Sequence, residues 1–218
     1  MVEVKVCGLT RAVDAELADA AGASYLGVIF AGGPRERPPA EARATLAGHR
    51  ARKVGVFAMQ SPAQIDQVAR EVGLDVVQLH GASDPERIRA VRAATGLEVW
   101  AVVRTADGVL SAADEALADA ADALLVDAKV SDQLGGTGVA VPWGALGESL
   151  DAMDVAHRIV LAGGLTPDNV AEAIGYVAPM IVDVSSGVES APGIKDHARI
   201  RAFVAAVRRT SEQHDFDD

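Results

Sequence analysis

Cysteine is almost absent from this 218-residue chain, occurring only as Cys7. No internal disulfide can form. Residues 1–6 also lack the charged, apolar and small-residue regions of a secretory signal, so the expected location is cytoplasmic. Aromatic residues make up only 4% of the chain, against an abundance of Ala and Val, the composition of helices packed closely on strands in a soluble protein. No apolar run approaches the length of a membrane span, which argues against a membrane partner. Lysine occurs only at Lys5, Lys53, Lys129 and Lys195, and the net charge is −11. That balance argues against nucleic acid as a partner, because a phosphate backbone needs clustered cations. A small-molecule site with a local positive field stays open.

What is present is an alternation of apolar strands with helical stretches. The first strand ends on Cys7 and is followed by a helix over 11–21, with Thr10 as its cap and Gly22 as its stop. Strands at 25–30, 53–57, 76–79, 98–103, 123–126, 158–161 and 180–184 alternate with helices at 40–49, 62–72, 84–94 and 142–150, a helix opened by residues 166–168, and a last helix over 195–209. A weakly periodic, alanine-rich stretch at 107–121 supplies the remaining helix, and Gly and Pro mark 31–39 as a loop. Eight strands alternating with helices predict an α/β fold of the single (β/α)8 TIM-barrel type over 1–209, with a polar, acidic, disordered tail at 210–218. A doubly wound sheet would place G-x-G-x-x-G after an early strand, and none follows the first strand here.

In such a barrel the chemistry lies at the C-terminal ends of the strands, with phosphate held by the loops after strands seven and eight. Those loops carry Gly163 and Gly164, then Ser185, Ser186 and Gly187, which bring backbone N–H groups and hydroxyls to an anion. Other strand-end groups are Cys7, Gln78, His80, Asp127 and, on strand eight, Asp183. A thiol and a carboxyl on different sides of a closed barrel form an acid–base arrangement around a small substrate. His80 reads equally as a hydrogen-bonded loop residue or as a substrate contact. No other histidine sits at a strand end, so no metal site is expected. Period-two alternation points Lys5 to the same interior side as Cys7, where a buried ammonium needs a partner, and strand eight offers Asp183.

The runs VKVCGLT ending at Thr10, QLHG at 78–81, LLVD ending at Asp127, GGTG at 135–138, LAGGL at 161–165 and DVSSGVE at 183–189, in this order over nearly the whole chain, resemble the phosphoribosylanthranilate isomerase family of tryptophan biosynthesis. The resemblance implies an Amadori rearrangement of a phosphorylated sugar amine with no cofactor and no metal. It also implies Cys7 as general base, Asp127 as general acid, and Arg35 in the loop 33–39 as the ligand of the anthranilate carboxylate. That loop departs from the family pattern at Pro38, Pro39 and Ala40, which leaves Arg37 as the competing choice. In this reading Asp127 protonates the furanose oxygen, and a partly ionised Cys7 thiol then takes the C2 proton. The ligand is a phosphorylated small molecule, and the assembly a monomer or homodimer. The rival readings are a histidine-pathway or bifunctional phosphosugar isomerase, which uses a carboxylate where this chain has Cys7, and a non-catalytic barrel that binds a phosphorylated ligand.

Overall fold

The computed structural model describes residues 1–81, 84–128, 142–153 and 158–214, with side chains described through Thr210. The GGTG run at 135–138 and Lys129 lie outside the described residues. Eight parallel strands close into a barrel in sequence order: β1 (Glu3–Val6), β2 (Tyr25–Ile29), β3 (Arg52–Phe57), β4 (Val76–Leu79), β5 (Glu98–Arg104), β6 (Ala123–Asp127), β7 (Ile159–Ala162) and β8 (Ile181–Val184). The helices are α1 (Ala12–Ala21), α2 (Pro39–Leu46), α3 (Pro62–Val72), α4 (Pro85–Thr95), α5 (Ala112–Ala120), α6 (Trp143–Ala152), α7 (Val170–Val177) and α8 (His197–His214). The expected (β/α)8 architecture is therefore present. Among the described residues, no helix is long and apolar enough to cross a membrane.

Helix starts follow local chemistry. Ser61 and Gln64 form a reciprocal capping box ahead of Pro62 in the first turn of α3, satisfying two orphan donors. Several boundaries differ from expectation. Thr10 does not cap α1, because its hydroxyl donates to the Gly193 carbonyl instead. Helix α5 begins at Ala112 rather than near residue 107. There Thr105 Oγ1 and Asp107 Oδ1 accept the N–H groups of Gly108 and Val109, and these side-chain bonds compete with a helical turn. The last helix continues to His214 instead of stopping near Arg209. A short antiparallel hairpin, β9 (Glu189–Ala191) and β10 (Ile194–Lys195), follows β8 and was not expected.

Because side chains alternate along a strand, each strand sends one set outward against the helices and one set into the barrel. The outward set joins the helices in the larger core, with Val4, Leu26, Leu79, Leu124 and Val182 among its members. The inward set begins at the N-terminal end with Tyr25, Val54, Val76, Trp100, Val160 and Ile181. Below them Glu98 plugs the barrel, accepting from Trp100 Nε1 at 2.7 Å and pairing with Arg158 at 2.9 Å and Arg52 at 2.7 Å.

One layer above, Lys5 and Asp183 face each other across the β1–β8 seam and pair at 2.8 Å. Lys5 is fully buried. Burial works against its ammonium, but Asp183 and Cys7 outweigh that cost and raise the pKa above the ordinary lysine value. Breaking a buried pair by removing one partner costs about 3–5 kcal/mol, whereas replacing both with apolar groups is often neutral. Lys5→Met should therefore lose about that much in urea unfolding at neutral pH, and Lys5→Met/Asp183→Leu should recover most of it. A single variant as stable as the double one would mean that the barrel seam does not depend on this pair.

Candidate active site

The C-terminal end of the barrel opens into a cavity of about 390 Å³. It is lined by Cys7, Arg35, Gln78, His80, Asp127, Gly163, Gly164, Asp183, Ser185, Ser186 and Gly187, so every strand-end group singled out from the sequence reaches one space. The parity of the strands explains the convergence. Asp127, Gln78 and Asp183 carry forward the inward series of Leu125, Val76 and Ile181, and Cys7 that of Lys5. Arg37 does not line this cavity. It turns away to the Glu36 carbonyl and to Glu41, so of the two arginines left open by the sequence, Arg35 is the one that faces the cavity.

Three carboxyl and amide oxygens in this cavity are buried and have no hydrogen-bond partner among the described residues: Gln78 Oε1, Asp127 Oδ1 and Asp183 Oδ1. A buried acceptor without a donor costs about 1–3 kcal/mol, and three facing one cavity mark a place built to receive donors from a ligand. On the opposite rim, the loops after β7 and β8 touch backbone to backbone. A Cβ on Gly187 would stand 1.9 Å from the Leu165 carbonyl oxygen. The N–H groups of Gly164, Ser186 and Gly187 are not taken by any described carbonyl or side chain.

Cys7 lies against β2, where Gly27 leaves it room. A Cβ at that position would meet Cys7 Sγ at 3.0 Å and Lys5 Cε at 3.3 Å. Burial pushes the thiol above its ordinary pKa. Lys5 and Lys195 pull it down without overcoming burial, while Asp183 adds to the rise. A positive field is present, but low dielectric around a fully buried thiol penalises the charged form more.

Three groups were not anticipated. Arg104, at the end of β5 and in register with Asp127 on β6, contacts His80 Nε2 through Nη2. A guanidinium only donates, so Nε2 accepts and the imidazole is neutral with its proton on Nδ1. Glu189, on the small hairpin and itself bonded by Lys195, holds Arg35. Its Nε donates to Glu189 Oε1 at 2.8 Å and its Nη2 to Oε2 at 2.6 Å, while Lys195 Nζ donates to Oε1 at 2.9 Å. Glu189 stood inside the DVSSGVE run, and Lys195 was one of only four lysines. Nothing in their spacing announced that they meet.

Residues 4–206 match the family model described as N-(5'-phosphoribosyl)anthranilate (PRA) isomerase. The chain is 46% identical to the N-(5'-phosphoribosyl)anthranilate isomerase of Paracoccus denitrificans, over 94% of this chain and 96% of that protein. It is 42% identical to the one of Haloferax volcanii, over 95% and 94%. Among solved structures, it is similar to a phosphoribosyl anthranilate isomerase from Thermotoga maritima, with a TM-score of 0.83 at 34% identity over 96% of this chain and 100% of that one. A further structure of such an isomerase, in complex with reduced 1-(o-carboxyphenylamino)-1-deoxyribulose 5-phosphate, gives a TM-score of 0.81 at 33% identity, also over 96% and 100%.

The state of His80 is open to direct test. Burial first and Arg104 second lower its pKa from the ordinary histidine value, with Asp127 opposing. In nitrogen-detected NMR, His80 should titrate below the free-imidazole value of about 6.5 and show the Nδ1–H tautomer at neutral pH. Arg104→Gln should move the titration upward. An unmoved titration would remove Arg104 from the control of this ring.

Proposed function

The chain belongs to the N-(5'-phosphoribosyl)anthranilate isomerase family, and we propose that its rearrangement of phosphoribosylanthranilate in tryptophan biosynthesis runs by cofactor-independent acid–base chemistry between Cys7 and Asp127. Asp127, as the carboxylic acid, gives its proton to the furanose ring oxygen. The C1–O bond breaks, and the nitrogen lone pair forms the C1=N iminium. Cys7, as thiolate once its own proton has passed to water, takes the proton from C2, whose acidity the iminium raises, and an enolamine results. Tautomerisation then moves the C2 hydroxyl proton's equivalent to C1, leaving the ketone at C2 and the arylamino methylene at C1. Asp127 ends as the carboxylate and Cys7 as the thiol, proton exchange with water restores the acid and the base, and no bond forms between substrate and sulfur.

What supports this reading is the set of three unpartnered acceptors beside Cys7 in one cavity. Asp127 Oδ1 is free to carry the proton it delivers. Gln78 Oε1 and Asp183 Oδ1 are suited to the hydroxyls that the opening ring releases, and the neutral His80 adds an Nδ1–H donor. The cationic iminium offsets the burial that keeps the free thiol protonated, so the thiolate is favoured once the ring has opened. Gly163, Gly164, Ser185, Ser186 and Gly187 take the phosphate, and Arg35 takes the anthranilate carboxylate through a bidentate bond that lysine cannot copy. A cytoplasmic setting is part of the proposal, since this base has to stay a free thiol.

The test is kcat for Cys7→Ser and Asp127→Asn, read beside their melting temperatures. Serine keeps the shape of cysteine but is far too weak an acid to ionise near neutral pH, and loss of a positioned acid or base costs about 10²- to 10⁴-fold in rate. Both variants should remain folded and bind a reduced product analogue, with kcat lowered by at least about a hundredfold. Near-normal turnover by folded Cys7→Ser would remove Cys7 from the mechanism.

A further inference from the structure

Arg35 is committed before any ligand arrives. Its guanidinium has two edges able to grip a carboxylate, the side-on edge of Nε with one Nη and the end-on edge of the two Nη groups. Glu189 occupies the side-on edge, at 2.8 Å from Nε and 2.6 Å from Nη2. Nη1 bonds nothing among the described residues, so the end-on edge remains for a ligand in the cavity that Arg35 lines. The stem is fixed too. A Cβ on Gly8, which has a φ of +71°, would stand 2.7 Å from Arg35 Cδ, so the arginine lies directly on the backbone next to Cys7.

Glu189 is itself immobilised. It is 8% exposed and Lys195 is 2% exposed. Lys195 Nζ donates both to Glu189 Oε1 at 2.9 Å and to the Ser185 carbonyl at 3.0 Å, in the loop after β8. The hairpin that carries both residues is pinned in turn. The Gly193 carbonyl accepts from Thr10 Oγ1, and the Lys195 N–H donates to the buried Asp14 at 3.2 Å. Two cations and one anion leave the trio with one net positive charge, and Arg35 is its member that lines the cavity. A ligand carboxylate would neutralise that charge.

We infer that Glu189 and Lys195 are a positioning pair, which presets the end-on edge of Arg35 for the substrate's aromatic carboxylate and ties that receptor to the loop at 185–187. The inference rests on the assignment of Arg35 made above and adds two residues that touch no substrate. A loose arginine would lose its rotamer freedom on binding, whereas one already gripped along its side-on edge has lost it during folding.

The experiment measures carboxylate discrimination. It is the ratio of Kd values, by calorimetry, for the reduced deoxyribulose phosphate bearing a phenylamino group and for the same compound bearing a 2-carboxyphenylamino group. The proteins are the parent, Arg35→Met, Glu189→Gln and Arg35→Met/Glu189→Gln. Discrimination should fall at least about tenfold in Glu189→Gln, with KM raised more than kcat is lowered, and adding Glu189→Gln to Arg35→Met should lower it no further. Unchanged discrimination in Glu189→Gln, with discrimination lost in Arg35→Met, would overturn the positioning role and leave the Arg35 assignment standing. Unchanged discrimination in Arg35→Met would overturn both. If Glu189→Gln does not fold because Lys195 is left buried and unpaired, Glu189→Gln/Lys195→Met removes both charges, and the same outcomes decide.

Discussion

A single buried ion pair, Lys5 with Asp183 at 2.8 Å, sits where the barrel closes and sets the conditions for everything above it. The two residues are register partners on β1 and β8, so the seam that completes the barrel is also the place where two charges leave water. That arrangement is tolerable only because each ion is the other's counter-charge. It dictates its surroundings as well. Gly27 on the neighbouring strand lacks a side chain because Lys5 and Cys7 already fill the space its Cβ would need. Asp183 keeps one oxygen on Lys5 and leaves the other unpartnered in the cavity, so a structural pair reaches directly into the site.

The same layer sets the chemistry of the thiol. Lys5 lies one inward step below Cys7 and favours its ionisation, yet burial and Asp183 together prevail. In the mechanism proposed, the base is held protonated in the free protein and released by a cationic intermediate, rather than maintained in advance as a thiolate. Storing a permanent thiolate would add a third buried charge beside the Lys5–Asp183 pair. Around the rim, the Arg35, Glu189 and Lys195 trio supplies local positive charge on a chain whose net charge is −11. Overall acidity does not exclude a local positive field, because a low-dielectric cavity responds to the charges that line it.

Much of this was legible in the sequence because a barrel strand obeys period two. Once Cys7 marks an inward strand end, Lys5 must face inward too, and the closing strand must supply its partner. Gln78, His80 and Asp127 converge for the same reason, each sitting at the inward end of its strand. The glycine and serine loops were readable because they follow the last two strands. What escaped depends on contacts between distant segments. The hairpin of Glu189–Ala191 and Ile194–Lys195 is too short for periodicity, and its grip on Arg35 spans 154 positions. Arg104 reads as an ordinary strand-end charge until the fold sets it on His80. The burial that raises the Cys7 pKa was not legible, because it belongs to the folded chain.

The central claim is that Cys7 is the base and that burial holds its proton. Since the chain has one cysteine, alkylation reports on Cys7 alone. The decisive measurement is the rate of iodoacetamide alkylation as a function of pH, followed together with residual turnover. Reactivity should rise only at pH values above the ordinary thiol pKa of about 8.5, and turnover should disappear in step with each equivalent of label. A thiol that reacts fully below neutral pH, or a quantitatively labelled protein that still turns over its substrate, would contradict the account.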